Sequence, residues 1–210
     1  MQKSNNYKTH LLLGGGCALI FLFFAYSIKI NLGWVTSLDA RIQAILLPFT
    51  TKTMTTFVAL LTKLASSPLE LFYCLLLIAF LFFRYNKKEA IWAGCTVFIS
   101  LAFTYLVKFA MQRPRPSDRL VSAAGYSFPS GHTFGAALVA LIILTLILPK
   151  LKSSGLRWLL GILACLWVLI AAFTRAYLHV HYPSDTLASM LLAVSLWNLA
   201  SLIKDRYFKR

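Results

Sequence analysis

The sequence predicts an all-α integral membrane protein, a bundle of six transmembrane helices with short interfacial helices between the first and second spans. Three observations lead there. Hydrophobic residues make up 59% of the 210 and charged ones only 13%, too few polar side chains to coat a soluble core of this size. The mean hydropathy is +0.73, and the apolar residues gather into stretches near the roughly 20 residues a helix needs to cross the hydrocarbon core. Between the stretches lie basic and proline-containing turns with no long polar linker, so residues 1–210 read as one membrane-embedded domain.

The first span is expected over 11–28. Lys3 and Lys8 ahead of it imitate the basic start of a signal peptide, and Ala25 and Ser27 a cleavage site. The apolar run is long for a signal peptide, so retention as a first helix is expected. Gly14, Gly15 and Gly16 suit close helix packing or a local bend.

Residues 31–67 break the spanning pattern. Leu38, Ile42, Ile45 and Leu46 share one helical face, and beyond Pro48 so do Met54, Phe57, Val58 and Leu61. Two short helices are expected, lying in the outer membrane surface or packed on the bundle. Ser67-Pro68-Leu69-Glu70 has the pattern of a capping box with proline at the first helical position, which opens the second span, 68–83.

The remaining spans are expected over 90–110, 133–148, 156–173 and 183–203. Cys17, Cys74, Cys95 and Cys165 all fall within spans and lack the close spacing of a metal site or redox pair, so they are expected to be small buried hydrophobes.

Six spans put both termini on one side. The positive-inside rule makes that side cytoplasmic, because Lys3, Lys8, Arg84, Lys87, Lys88, Lys150, Lys152, Arg157, Lys204, Arg206, Lys209 and Arg210 then face the cytoplasm. The excess positive charge on the other side, at Lys108, Arg113, Arg115, Arg119 and Arg175, sits in two connections and calls for a bound anion. The net charge of +15 does not point to nucleic acid, since the basic residues flank apolar spans with no interleaved aromatic pattern.

Three clusters lie on that same expected side. The first, KFAMQRPRP, carries Lys108 and Arg115; alone it would be an ordinary juxtamembrane basic patch. In the second, Pro129, Ser130 and Gly131 form a turn in which Ser130 can cap the helix carrying His132. The open N–H groups of such a helix start favour an anion. The third, TRAYLHVHYPSD, carries Arg175, His179, His181 and Asp185. His179 competes with His181 for the place facing the other clusters, and only one of the two can take it.

Lys108, Arg115 and Arg175 with the Ser130–Gly131 donors suit a tetrahedral oxyanion such as phosphate. Of the carboxylates only Asp118 and Asp185 lie near the clusters in sequence, so neither a carboxylate-bound metal pair nor any other cofactor is expected. The chemistry then falls to histidine: His181, oriented by Asp185, attacks phosphorus, and His132 protonates the leaving oxygen and later activates water.

Together these residues resemble the three-part signature of the type 2 phosphatidic acid phosphatase (lipid phosphate phosphatase) superfamily, matched at Lys108, Arg115 and Pro116, at Pro129 to His132, and at Arg175, His181 and Asp185. The resemblance implies His181 as nucleophile in preference to His179, Asp185 as its orienting acid and His132 as proton donor. It also implies Lys108, Arg115, Ser130, Gly131 and Arg175 as phosphate ligands. Thr174 stands where that family usually has serine, and Arg113 has no role in the signature.

The function expected is hydrolysis of a lipid phosphate of the phosphatidylglycerophosphate or phosphatidic acid type, on the extracytoplasmic face. Undecaprenyl pyrophosphate is the alternative substrate. An anion transporter or channel is the alternative of another class, and it would distribute basic residues through the spans.

Overall fold

The computed structural model describes residues 2–207, with side chains over 7–204. Of the terminal basic residues, the side chains of Lys3 and Arg206 and all of Lys209 and Arg210 lie outside the described residues. The chain is helical: α1 (Gln2–Lys29), α2 (Gly33–Leu46), α3 (Lys52–Leu64), α4 (Ser67–Arg84), α5 (Lys87–Met111), α6 (Gly131–Ile142), α7 (Ser154–Tyr177) and α8 (Pro183–Tyr207).

Among the described residues, six helical stretches are long and apolar enough to cross a membrane: Tyr7–Lys29, Lys52–Arg84, Lys87–Met111, Gly131–Lys150, Ser154–Tyr177 and Pro183–Lys204. The second runs through α3 and α4 and is interrupted at Ala65 and Ser66. With thirteen residues, about 20 Å of helix, α3 is too short to span alone.

The capping box expected at Ser67 is not formed. Ser66 is the N-cap and makes no side-chain cap bond, while Ser67 already lies in the first turn. Glu70 is buried instead, and its Oε1 accepts from Trp167 Nε1 at 2.9 Å.

Elsewhere the caps are conventional. The Asn86 side chain accepts from the N–H groups of Lys88 and Glu89, and Ser153 from Leu156. The fourth span continues past α6 as a π turn, Ile143–Ile147, and a 3-10 turn, Leu148–Lys150. Pro149 explains the irregularity, because it offers no N–H to the preceding turn.

The central helix is α6. It packs against α4, α7 and α8 and buries Phe134, Ala136, Leu138 and Ile142 completely. Small residues allow this approach. A Cβ at Gly135 would lie 2.6 Å from Glu70 Cβ, so α4 and α6 touch backbone to side chain there. Gly135→Ala is therefore expected to cost about 1–3 kcal/mol of stability, read as a lower unfolding temperature in detergent.

Along α8 lies α1, where the expected packing glycine is Gly14: a Cβ there would meet Leu199 at 3.1 Å, whereas Gly15 and Gly16 face open space. The cysteines divide. Cys74 is buried and Cys17 half-buried, but Cys95 and Cys165 point outward, contrary to expectation. A thiol is apolar enough to sit on a lipid-facing surface.

Both short helices pack one edge on the bundle and leave apolar side chains outside. Val35 and Asp39 of α2 and Val58 and Thr62 of α3 are buried, whereas Ile45, Met54 and Phe57 are exposed. The buried edge of α2 thus includes a carboxylate that its apolar face did not suggest.

Candidate active site

The three clusters converge at one end of the bundle. Helix α5 is closed by its C-cap Gln112, whose left-handed backbone (φ 50°) turns the chain sharply into the Arg-Pro segment. Helix α6 begins with Ser130 as N-cap, and α8 begins at Pro183. Between α7 and α8 the chain turns tightly, with the N–H groups of Val180 and His181 each 3.3 Å from the Arg175 carbonyl.

His181 is buried. Its Nε2 lies 3.0 Å from Arg115 Nη1. A guanidinium only donates, so Nε2 is the acceptor and the proton of the neutral ring belongs on Nδ1. Nδ1 faces Asp185 Oδ2 and Ser127 Oγ, each at 3.5 Å, the long limit of a hydrogen bond. Burial pulls the His181 pKa down to about 4; Asp185 opposes the shift, and Arg115 and Arg175 reinforce it. Near neutral pH the ring is therefore uncharged, with its lone pair on Nε2.

Asp185 is fully buried and held from several directions. Oδ1 accepts from Arg113 Nη1 at 2.5 Å. Oδ2 accepts from the Tyr182 N–H at 3.0 Å and from the Ser127 hydroxyl. A buried carboxylate demands this many donors.

His132 lies in the first turn of α6, half-buried and close enough to Arg175, His181, Arg115 and Lys108 to interact with all of them electrostatically. The first intrahelical bond runs from Phe134 N to the Ser130 carbonyl, so the N–H groups of Gly131 and His132 precede the ladder and stay open. Ser130 itself is committed: its N–H donates to Ser189 Oγ at 2.7 Å and its hydroxyl caps Thr133.

The expected phosphate ligands have different partners. Lys108 Nζ donates to the carbonyls of Tyr126 and Pro129, both at 2.8 Å, and so ties the end of α5 to the turn before α6. Arg115 donates to the carbonyls of Ala124, Gly125 and Val180 as well as to His181. Arg175 is buried; Nη1 donates to Thr62 Oγ1 at 3.0 Å and Nε has no protein partner. The Thr174 hydroxyl lies 2.9 Å from the Ala171 carbonyl and 3.2 Å from Thr62 Oγ1, turned into the contact between α7 and α3.

His179 takes another place, because the connection is a turn. Its backbone is left-handed (φ 52°), and its Nδ1 meets Asp118 Oδ2 at 2.5 Å. Asp118, expected near the clusters, is occupied by that pair.

Two residues that sequence reasoning left aside are central. Arg113, read as carrying no role, is mostly buried and bridges Asp185 to Asp39, with Nη2 2.7 Å from Asp39 Oδ2. Asp39, absent from the expected carboxylates near the site, also accepts from the Ser184 N–H at 2.8 Å and hydroxyl at 2.7 Å. Asp39 stands one helical turn from Val35 and Ile42, at the edge of the apolar face of α2, but 74 residues separate it from Arg113, so only the tertiary fold pairs them.

A neutral, oriented imidazole facing cations and open helix-start N–H groups is chemically suited to transfer of an anionic group between oxygens. The family profile of the PAP2 superfamily matches residues 89–209, more than half the chain, and the chain belongs to that superfamily.

Phosphatidylglycerophosphatase B of Bacillus subtilis is 30% identical over 191 residues, covering 86% of this chain and 89% of that protein. Undecaprenyl-diphosphatase BcrC of the same species is 30% identical over 130 residues, 58% of this chain and 62% of the relative, so the match spans less than two thirds of BcrC. The crystal structure of a transmembrane PAP2-type phosphatidylglycerolphosphate phosphatase from Bacillus subtilis superposes with a TM-score of 0.78 at 23% identity. It covers 93% of this chain and 98% of that one, a shared fold.

Proposed function

We propose that this chain is a membrane lipid phosphatase that removes a terminal phosphate through a phosphohistidine intermediate. The observation carrying the reading is the His181 ring, with Nε2 accepting from Arg115 and Nδ1 facing the buried Asp185. In the first step Nε2 attacks phosphorus and the bond from phosphorus to the lipid oxygen breaks. His132 gives that oxygen its proton, and Asp185 stabilises the charge on the His181 ring. In the second step His132 takes a proton from water, the water oxygen attacks phosphorus, the N–P bond breaks and phosphate leaves.

Arg175, with its unpartnered Nε, joins Arg115, Lys108 and the Gly131 N–H in stabilising the equatorial oxygens. Ser130 shapes the helix start through its N–H bond to Ser189 and its cap on Thr133, and its hydroxyl proton serves a phosphate oxygen or Thr133 Oγ1.

The substrate favoured is a phosphatidylglycerophosphate- or phosphatidic acid-type lipid, supported by the long match to phosphatidylglycerophosphatase B. A cavity of about 190 Å³ below Lys108, lined by Leu71, Cys74, Leu101 and Phe134 from α4, α5 and α6, suits an apolar tail. The match to BcrC supports undecaprenyl diphosphate as the second reading.

At the opposite end, Glu89 pairs with Lys150 at 2.6 Å and Lys204 at 3.5 Å amid further basic residues. By the positive-inside rule that end is cytoplasmic, which puts the termini inside and the site on the extracytoplasmic face.

Purified protein offered lipid phosphates and diphosphates in chelator is expected to release phosphate, with the relative kcat/KM ranking acyl against prenyl tails. Strict dependence on added divalent metal would refute the mechanism.

A further inference from the structure

We infer that Arg113 and Asp39 are positioning residues for the reaction: they form a buried strut that fixes Asp185, and through it the His181 ring, from the short helix α2. The inference rests on the phosphatase reading above and adds a role for α2 within it.

The strut is continuous and buried. The side chains of Asp39, Arg113 and Asp185 are 4%, 11% and 0% exposed. The Arg113 fork places Nη1 on Asp185 Oδ1 and Nη2 on Asp39 Oδ2, at 2.5 and 2.7 Å. Its plane is set by the Tyr182 ring, whose centroid lies 4.0 Å from Cζ.

Ser184, next to Asp185, is gripped by the same two groups: its N–H and hydroxyl donate to Asp39, and its hydroxyl also accepts from Arg113. Ser184 directly, and Asp185 through Arg113, are thereby tied to α2. Lysine cannot reproduce this, having one nitrogen where the strut uses two.

The consequence for chemistry is geometric and electrostatic. With Oδ1 held by Arg113, only Oδ2 is presented toward His181 Nδ1, in one orientation. Burial works against the Arg113 charge, but Asp185 and Asp39 outweigh it and raise the guanidinium pKa. Arg113 thus offsets part of the Asp185 charge that His181 feels. The other charged or titratable groups facing His181 are Arg115 from the loop, Arg175 from α7 and His132 from α6.

The test uses full-length protein in detergent, with Asp39→Asn, Arg113→Gln, the double variant and His181→Ala as control. By analogy with outer partners of metal ligands, Arg113→Gln should lower kcat by about 10–100-fold with KM within about twofold, and Asp39→Asn less.

Where Asp39 acts through Arg113 the losses overlap, so the double variant should be slower than Arg113→Gln by less than the two single losses predict together; fully additive losses would overturn the inference. NMR of ring-labelled histidine, with His181 assigned by its loss in the control, should show the His181 pKa rising in Arg113→Gln, because Asp185 is then less neutralised. An unmoved or falling value would count against the strut.

If Arg113→Gln does not fold, Asp39→Asn decides: folded protein with wild-type kcat overturns the proposal. An active His181→Ala would instead refute the phosphatase mechanism, whereas an inactive control with normal Asp39 and Arg113 variants would refute only the strut.

Discussion

His181→Ala is expected to lower phosphate release by at least about 10³-fold while the protein stays folded, because in the proposed mechanism it removes the atom that attacks phosphorus. The ring is buried and makes one hydrogen bond of ordinary length, to Arg115, which has three carbonyl partners besides. Losing the imidazole therefore leaves no charge unpaired. Quenching the wild type in alkaline detergent during turnover of a phosphate-labelled lipid should trap label on the protein, and the variant should trap none. Turnover by the variant near the wild-type rate would remove His181 from the mechanism.

Asp185→Asn carries the second large expectation, a loss on the order of 10³–10⁴-fold in kcat. The amide keeps the shape but can set an N–H where Oδ1 meets Arg113 or where Oδ2 faces His181 Nδ1. In the second case the ring is pushed toward the tautomer with Nε2 protonated, which has no lone pair to give phosphorus. Asp185→Ala adds a stability loss of about 3–5 kcal/mol, because Arg113 is then a buried cation short of one partner. Measuring kcat and the unfolding temperature on both variants separates these effects. Unchanged kcat in Asp185→Asn would show that the acid does not orient the ring.

The spans were legible because a bilayer imposes one demand, about 20 consecutive apolar residues, that composition answers directly. The three clusters were legible because each sits at the end of such a span. What sequence could not show was pairing across distance. Asp39 sits at the edge of the apolar face of α2 but far from Arg113 in sequence, and Arg113 stands in an Arg-Pro repeat where Arg115 already filled the recognised role. Choosing between Ser66 and Ser67 as the cap of α4 turned on one residue, and tertiary packing decided it by drawing Glu70 against Gly135. The left-handed backbone at His179, which swings that ring to Asp118, has no signature in a side chain that normally avoids it.

Helix α8 is pinned at three heights: Ser189 to the Ser130 N–H, Ser195 to the Gly14 carbonyl, and Trp197 to Thr145. These anchors lie on different neighbours, so they fix the azimuth of the whole rod as a key is held by its wards. A single-residue insertion between Asp185 and Ser189 would rotate the carboxylate by about 100° relative to all three. A chain that keeps Asp185 in this orientation must therefore keep the spacing along that rod, even where the residues themselves change.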